Sequence, residues 1–296
     1  MSVSPLVALI ELDLVPPALI YVIAGVFGAI IGSFLNVVIH RVPREESIVF
    51  PNSRCPSCGL TIAFYDNIPI VSYAALRGKC RGCSKRISFR YPAVELLTAL
   101  LFVAVAMHDG LTPALPFDLI FLAALVALVF IDAGHMILPN AITYPGIVFA
   151  AIARIAIPYL SGSPHFDDIP SLMHGTLAGS PMWVVSLAGG FLGALIGGGS
   201  LWLMGWTWEK LRGIEAMGLG DVKMMFMVGA YLGWRLTIFP IFVGVLSGSV
   251  IGILLMMRQR ERNMQMLLPF GVFLGLGSIA ALLFGTHIVG WYAGQF

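Results

Sequence analysis

The stretch PALIYVIAGVFGAIIGSFLNVVIH, residues 17–40, contains no Asp, Glu, Lys or Arg. As a helix it would run about 36 Å at 1.5 Å per residue, and a bilayer's hydrocarbon core is about 30 Å thick. A helix that is apolar all round belongs either in a large protein core or in lipid. Composition decides between the two. The chain is 58% hydrophobic and 11% charged, with a mean hydropathy of +0.92. A soluble domain carries about 25% charged residues, so this chain cannot cover a surface with polar groups. Further apolar runs lie near 92–108, 117–132, 139–160, 182–207, 221–234, 236–257 and 267–285. The expected fold is therefore an all-α polytopic membrane protein of about eight transmembrane helices in contact with lipid. Glu11 and Asp13 precede the first run, where a cleavable signal needs a basic region, so that run is expected to stay as an anchor.

The net charge of +2 conceals an uneven distribution. Arg41, Arg44, Arg54, Arg77, Lys79, Arg81, Lys85, Arg86 and Arg90 are nine of the 17 basic residues, and they share one polar stretch with all four cysteines. Such a run can be read as a nucleic-acid patch. Between two spans it fits better the excess of Lys and Arg in cytoplasmic loops, and no nucleic-acid partner is expected. Placing 41–91 in the cytoplasm also puts Lys210, Arg212, Arg258, Arg260 and Arg262 there, and the segment 161–181 on the opposite side. The expected organisation is a first span with its lead (1–40), a cytoplasmic cysteine loop (41–91) and a membrane core (92–296). The run GGFLGALIGGG (189–199) predicts close helix packing, because small residues let backbones approach.

The cysteines form two pairs, Cys55-Pro-Ser-Cys58 and Cys80-Arg-Gly-Cys83, with 21 residues between them. Two such knuckles read as a four-thiolate zinc site, and neighbouring Arg and Lys favour the thiolate form. Disulfides are the competing reading, disfavoured in a reducing cytoplasm. Unliganded thiols leave the paired spacing unexplained. A closed four-thiolate site has no open coordination position, so its expected role is structural.

Carboxylates in or beside the spans are few, and ionisable groups at membrane depth are commonly functional. Asp118 and Glu209 read as a span-start anchor and a neighbour of Lys210. Asp132, in FIDAGHMILPN (130–140), ends one span, and Asp221 begins another directly after Gly218-Leu219-Gly220. The topology puts both at the same membrane edge. Two close carboxylates share a proton, which suits one for activating water and the other for protonating a carbonyl and then an amine. Helix polarity favours the anion at Asp221, at a helix start, and the acid at Asp132, at a helix end. A proton-coupled transporter using the same aspartates is the alternative, although transporters bind near the midplane.

With GLGD (218–221) and Val222-Lys223, the chain resembles the membrane-embedded aspartyl proteases that carry a GxGD signature. The order of its other motifs is similar to that of the type IV prepilin peptidases. GSFLNVVIHRVP (32–43), YDNIP (65–69), LRGKCRGC (76–83), RYPAVELLTALLF (90–102) and PFGVFLG (269–275) carry the likeness along nearly the whole chain. Two positions depart from it. Gly134 stands where many members have an acidic residue, and Asn140 follows Pro139 where many have Asp. The resemblance implies an enzyme of the bacterial inner membrane, serving type IV pili or type II secretion. It would cleave the basic leader from prepilins or pseudopilins with Asp132 and Asp221. It also implies methylation of the new N-terminus by S-adenosylmethionine, with Gly78 and Lys79 as candidates for the donor site. Gly218, Gly220, Lys223, Pro269, Phe270 and Gly271 are candidates for substrate contact. Glu95 is a further site candidate, expected to pair with Arg90 or Arg41, and His135 a possible supporting group beside the aspartates.

Overall fold

A computed structural model describes residues 16–163, 177, 179–213, 217–258 and 268–293. Glu11, Asp13, Arg260, Arg262 and most of 161–181 lie outside the described residues. Helices account for every expected span: α1 Pro17–Arg41, α3 Arg90–Asp109, α4 Leu115–His135, α5 Asn140–Ser161, α6 Met182–Ala194, α7 Ser200–Arg212, α8 Leu219–Leu232, α9 Trp234–Arg258 and α10 Phe270–Ala293. A short α2, Val71–Ala75, lies in the cysteine segment. A π-helical turn, Leu195–Gly199, joins α6 to α7, so 182–212 is one continuous helix.

Seven of the described helices are long and apolar enough to cross a membrane. The expected span at 221–234 is a helix too, but α8 has only 14 residues. That is about 21 Å, short of the hydrocarbon thickness. Its ends explain the length. Gly218 opens it in an extended conformation, and Gly233 closes it at a φ of 81°, allowing α9 to begin at the next residue. Little of α8 meets lipid: Val222, Met224, Met225, Met227, Val228, Gly229, Tyr231 and Leu232 are all buried.

The chain divides into two compact units, 1–36 with 52–115 and 37–51 with 116–296. In the first, α1 and α3 pack closely. A Cβ on Gly28 would stand 2.8 Å from the Ala99 backbone, and one on Gly32 would stand 2.7 Å from that of Glu95. In the second, α8 is packed against α5, α6, the π turn, α7, α9 and α10. The close packing expected of 189–199 is present. A Cβ on Gly193 would lie 2.1 Å from the Gly229 carbonyl oxygen, and one on Gly197 would lie 2.5 Å from that of Met225.

Candidate active site and candidate metal centre

In the second unit, Asp132 lies in the last turn of α4 and Asp221 in the first turn of α8. Asp132 is buried and Asp221 half-buried, and their charges act on each other. The Val272 amide, in the first turn of α10, donates a hydrogen bond to Asp132 Oδ2 at 2.9 Å. The Gly271 amide also acts on this carboxylate. A Cβ on Gly271 would stand 2.8 Å from that same Oδ2 and 3.0 Å from Leu138 Cδ1. A Cβ on Gly220 would stand 3.1 Å from Leu138 Cβ. Leu138 is therefore the common neighbour of the two glycines, one from each helix start, and brings Gly220 and Gly271 into one site with Asp132 and Asp221.

Helix polarity distinguishes the two aspartates less than the sequence suggests. Asp132 does end α4, but it also sits on the N-terminus of α10, whose free amides face it. A carboxylate that accepts backbone N–H bonds is stabilised in its charged form, so these amides favour the anion at Asp132 as well and leave Oδ1 as its free oxygen. Lys223 Nζ donates to Asn140 Oδ1 at 2.9 Å and lies 5.2 Å from the Tyr144 ring centroid. Gly218 is exposed, and a Cβ there would meet only Asp221 Oδ2 at 3.8 Å and the Gly220 amide at 3.9 Å. Pro269 and Phe270 immediately precede the α10 amides and are half-buried. His135 is exposed at the end of α4.

Asp118 corrects one expectation. It is fully buried rather than an interfacial anchor, and the Tyr231 hydroxyl donates to its Oδ1 at 2.8 Å. The partners are 113 positions apart, so only an aspartate inside an apolar run marked the site. Glu209 is exposed, as expected of an anchor.

In the first unit, the four cysteine sulfurs all lie within 4.8 Å of one another. Cys55 and Cys83 Sγ are 3.9 Å apart, and Cys58 and Cys80 Sγ are 4.0 Å apart. Four thiolates at the usual Zn–S length around one ion would be about 3.8 Å apart, so the cluster has the size to hold a metal ion. The two knuckles share one design. The amide of each first cysteine bonds to a carbonyl five residues on, Cys55 to Leu60 and Cys80 to Lys85. The residue after each second cysteine, Gly59 or Ser84, has a φ of 71° or 56°. The amides of Ser57 and Cys58 draw the Cys55 thiol down to about 6.

Arg81, between the second pair of cysteines, donates Nε to Asp66 Oδ2 at 2.8 Å and Nη2 to Oδ1 at 2.6 Å. This fork joins YDNIP to the second knuckle, and its hydrogen bonds hold the Asp66 carboxyl below the usual range. Gly78 is buried at a φ of 69°, and the space its Cβ would need is filled by the Tyr73 hydroxyl at 2.9 Å. Lys79 is exposed.

Glu95 is buried, but its partners are not the expected arginines. Its Oε2 accepts the Ile70 amide at 2.7 Å, and Ser33 adds a side-chain hydrogen bond. Arg41 instead donates to the carbonyls of Ser47 and Pro51 at 2.8 and 2.6 Å.

Residues 26–108 match the family model described as the bacterial peptidase A24 N-terminal domain, and residues 119–253 match that of the type IV leader peptidase family. The chain is similar to a "Prepilin leader peptidase/N-methyltransferase" of Pseudomonas aeruginosa (strain PAO1), 35% identical over 288 residues, which cover 90% of each chain. A protein of the same description from Aeromonas hydrophila is 36% identical over 97% of this chain and 99% of its own. One from Myxococcus xanthus (strain DK1622) is 41% identical over 78% of this chain and 62% of its own. No solved structure matches.

Proposed function

Because this chain belongs to the type IV leader peptidase family, we propose that it hydrolyses the bond joining the basic leader of a prepilin or pseudopilin to its apolar segment, with Asp132 and Asp221 as the catalytic pair. The observation that supports this reading is that aspartates from two separate helices lie near enough for their charges to interact, with Leu138 between their neighbouring glycines and the amide-rich start of α10 beside Asp132. Nothing in the comparisons favours a transporter.

The pair shares one proton. Asp132, whose carboxylate the α10 amides stabilise, takes a proton from water at Oδ1 as the water oxygen adds to the scissile carbonyl carbon. Asp221, carrying the shared proton, hydrogen-bonds the carbonyl oxygen. The tetrahedral intermediate collapses as a proton passes to the nitrogen and the C–N bond breaks, leaving a carboxylate and an amine. The open approach at Gly218 suits an extended substrate strand passing Asp221. Leu138 supplies an apolar wall between Gly220 and Gly271. Lys223, Pro269 and Phe270 are the proposed flanking contacts.

The four cysteines would hold a zinc ion whose role is to fold a segment too small to make its own core. The basic residues around them support a cytoplasmic position for 41–91 in an inner-membrane protein, with 92–296 carrying the peptidase. Methylation of the new N-terminal amine by S-adenosylmethionine is a second proposed activity, supported by the descriptions of the relatives. Lys79 is the candidate whose exposed ammonium can reach the donor's carboxylate. Gly78 offers no open cradle, because Tyr73 fills it.

The decisive experiment is cleavage of a prepilin-like substrate by purified protein, comparing wild type with Asp132→Asn and Asp221→Asn. Leader removal by wild type alone is expected. Cleavage that survives in both variants would overturn the assignment.

A further inference from the structure

We infer that the Tyr231–Asp118 hydrogen bond is a register clamp that sets the depth of α8, and with it the position of Asp221 against Asp132. The inference rests on these two aspartates being the working pair. Helix α4 carries Asp118 in its first turn and Asp132 in its last. Fourteen residues of α-helix rotate to within about 40° of the starting direction and advance about 21 Å, so both carboxylates leave α4 on nearly the same face. Helix α8 carries Asp221 in its first turn and Tyr231 in its last, about 15 Å apart along the axis. The long phenol side chain takes up the difference. One helix pair thus carries the two candidate catalytic carboxylates at one end and is tied at the other by a phenol and a buried carboxyl.

The far end is also the better fixed. The Tyr231 ring stacks on Phe121 of α4 with centroids 4.0 Å apart, and on Phe149 of α5 at 6.1 Å. Arg154 of α5 donates Nε to the Ala230 carbonyl at 3.2 Å. At the near end Gly218 is exposed and Asp221 half-buried. A phenylalanine at 231 could make both ring contacts. That variant loses the hydroxyl's bond to Asp118, and burying such a polar pair is tolerable only while the bond is made. Tyr231 and Asp118 act through α8 and α4 and are positioning residues. Because α8 is too short to span the membrane on its own, nothing but its protein contacts sets its depth.

The test uses the full-length metal-bound protein, with Tyr231→Phe, Asp118→Asn and Asp118→Leu. Asn keeps a carbonyl oxygen to accept the phenol; Leu does not. In Tyr231→Phe and Asp118→Leu, kcat on a prepilin-like substrate should fall by up to about a hundredfold with KM little changed, the scale of an ångström misplacement. Amide exchange should rise at 219–224, a full helix length from the substitution. Asp118→Asn should retain both properties. Wild-type kcat and wild-type exchange at 219–224 in Tyr231→Phe would overturn the inference. So would an Asp118→Asn as impaired as Asp118→Leu, which would point to the charge of Asp118 instead. Exchange needs no substrate, so a Tyr231-dependent first turn in a protein that cleaves nothing would sink the peptidase reading and leave the clamp standing.

Discussion

Asp132 accepts a hydrogen bond from the Val272 amide at 2.9 Å, across 140 positions of sequence. A carboxylate at the carbonyl end of one helix is thereby seated on the amide end of another. Asp221 lies at the start of α8, so both members of the proposed pair meet positive helix ends. That arrangement suits a pair that holds one negative charge between them, and it fixes Asp132 Oδ2 as an acceptor throughout.

The same contact explains Gly271. A methyl group there would stand 2.8 Å from Asp132 Oδ2, and one at Gly220 would stand 3.1 Å from Leu138 Cβ. Gly271→Ala should lower kcat by about a hundredfold, as a displaced reacting group does, and Gly220→Ala should lower it less. At Gly218 the nearest contact is an ordinary 3.8 Å, and its φ of −68° and ψ of 137° suit alanine. Gly218→Ala should keep the wild-type melting temperature and raise KM through the approaching substrate strand. Steady-state kinetics and thermal melts of the three variants check the order.

Metal analysis should find about one zinc per chain, with stability drawn from the ion as in other four-thiolate sites. Cys55→Ser or Cys80→Ser should abolish it and speed tryptic cutting at Arg77, Lys85 and Arg86, which are exposed and flank the second knuckle. Since the Cys55 thiol is held at about 6, this ligand is a thiolate at neutral pH. Protons compete with a bound ion for the thiolates, so the ion should be retained at neutral pH and released only on acidification well below the value of the free thiol. Zinc-indicator titration from neutral pH downward follows the release.

Asn140 opens α5 and accepts the Lys223 ammonium at 2.9 Å. Asn140→Asp would make that bond ionic and place an anion at a helix start, stabilising by roughly 0.3–1 kcal/mol. The melting temperature should rise slightly and fall back in high salt. An unchanged melting temperature at low salt would rule out a charge-assisted bond at this site.

The features legible in sequence are those set by neighbours in sequence. The knuckles are local, so their spacing announced them. The spans are runs of apolar residues, and their bounds fall within a few residues of the helices for most of the chain. Helix α8 was legible as a helix but not as a short one, because its length depends on being surrounded by protein rather than lipid. Asp118 looked like a surface anchor because its partner is Tyr231, 113 positions on. The amides on Asp132 come from a helix 140 positions away. Glu95 invited pairing with charged arginines, whereas its partners are the Ile70 backbone amide and the Ser33 side chain, neither of which a charge pattern reveals.

That Glu95 contact supports a strained turn. Ile70 has a φ of 62° and ψ of −48°, with the Val71 amide bonded to the Pro69 carbonyl at 2.5 Å, a tight three-residue turn that is rare for an isoleucine. Glu95 Oε2 holds the Ile70 amide from α3. Removing the acceptor leaves a part-buried N–H unsatisfied, a loss of about 1–3 kcal/mol. Glu95→Leu should therefore loosen 65–75, raising amide exchange there while α3 keeps its protection. Glu95→Gln retains an acceptor oxygen and should behave nearly as wild type. Ile70→Gly relieves strain of about 1–3 kcal/mol, and combined with Glu95→Leu it should restore part of the lost stability. If Glu95→Gln proved as damaging as Glu95→Leu, the charge of Glu95 would be what matters there, not the hydrogen bond to Ile70.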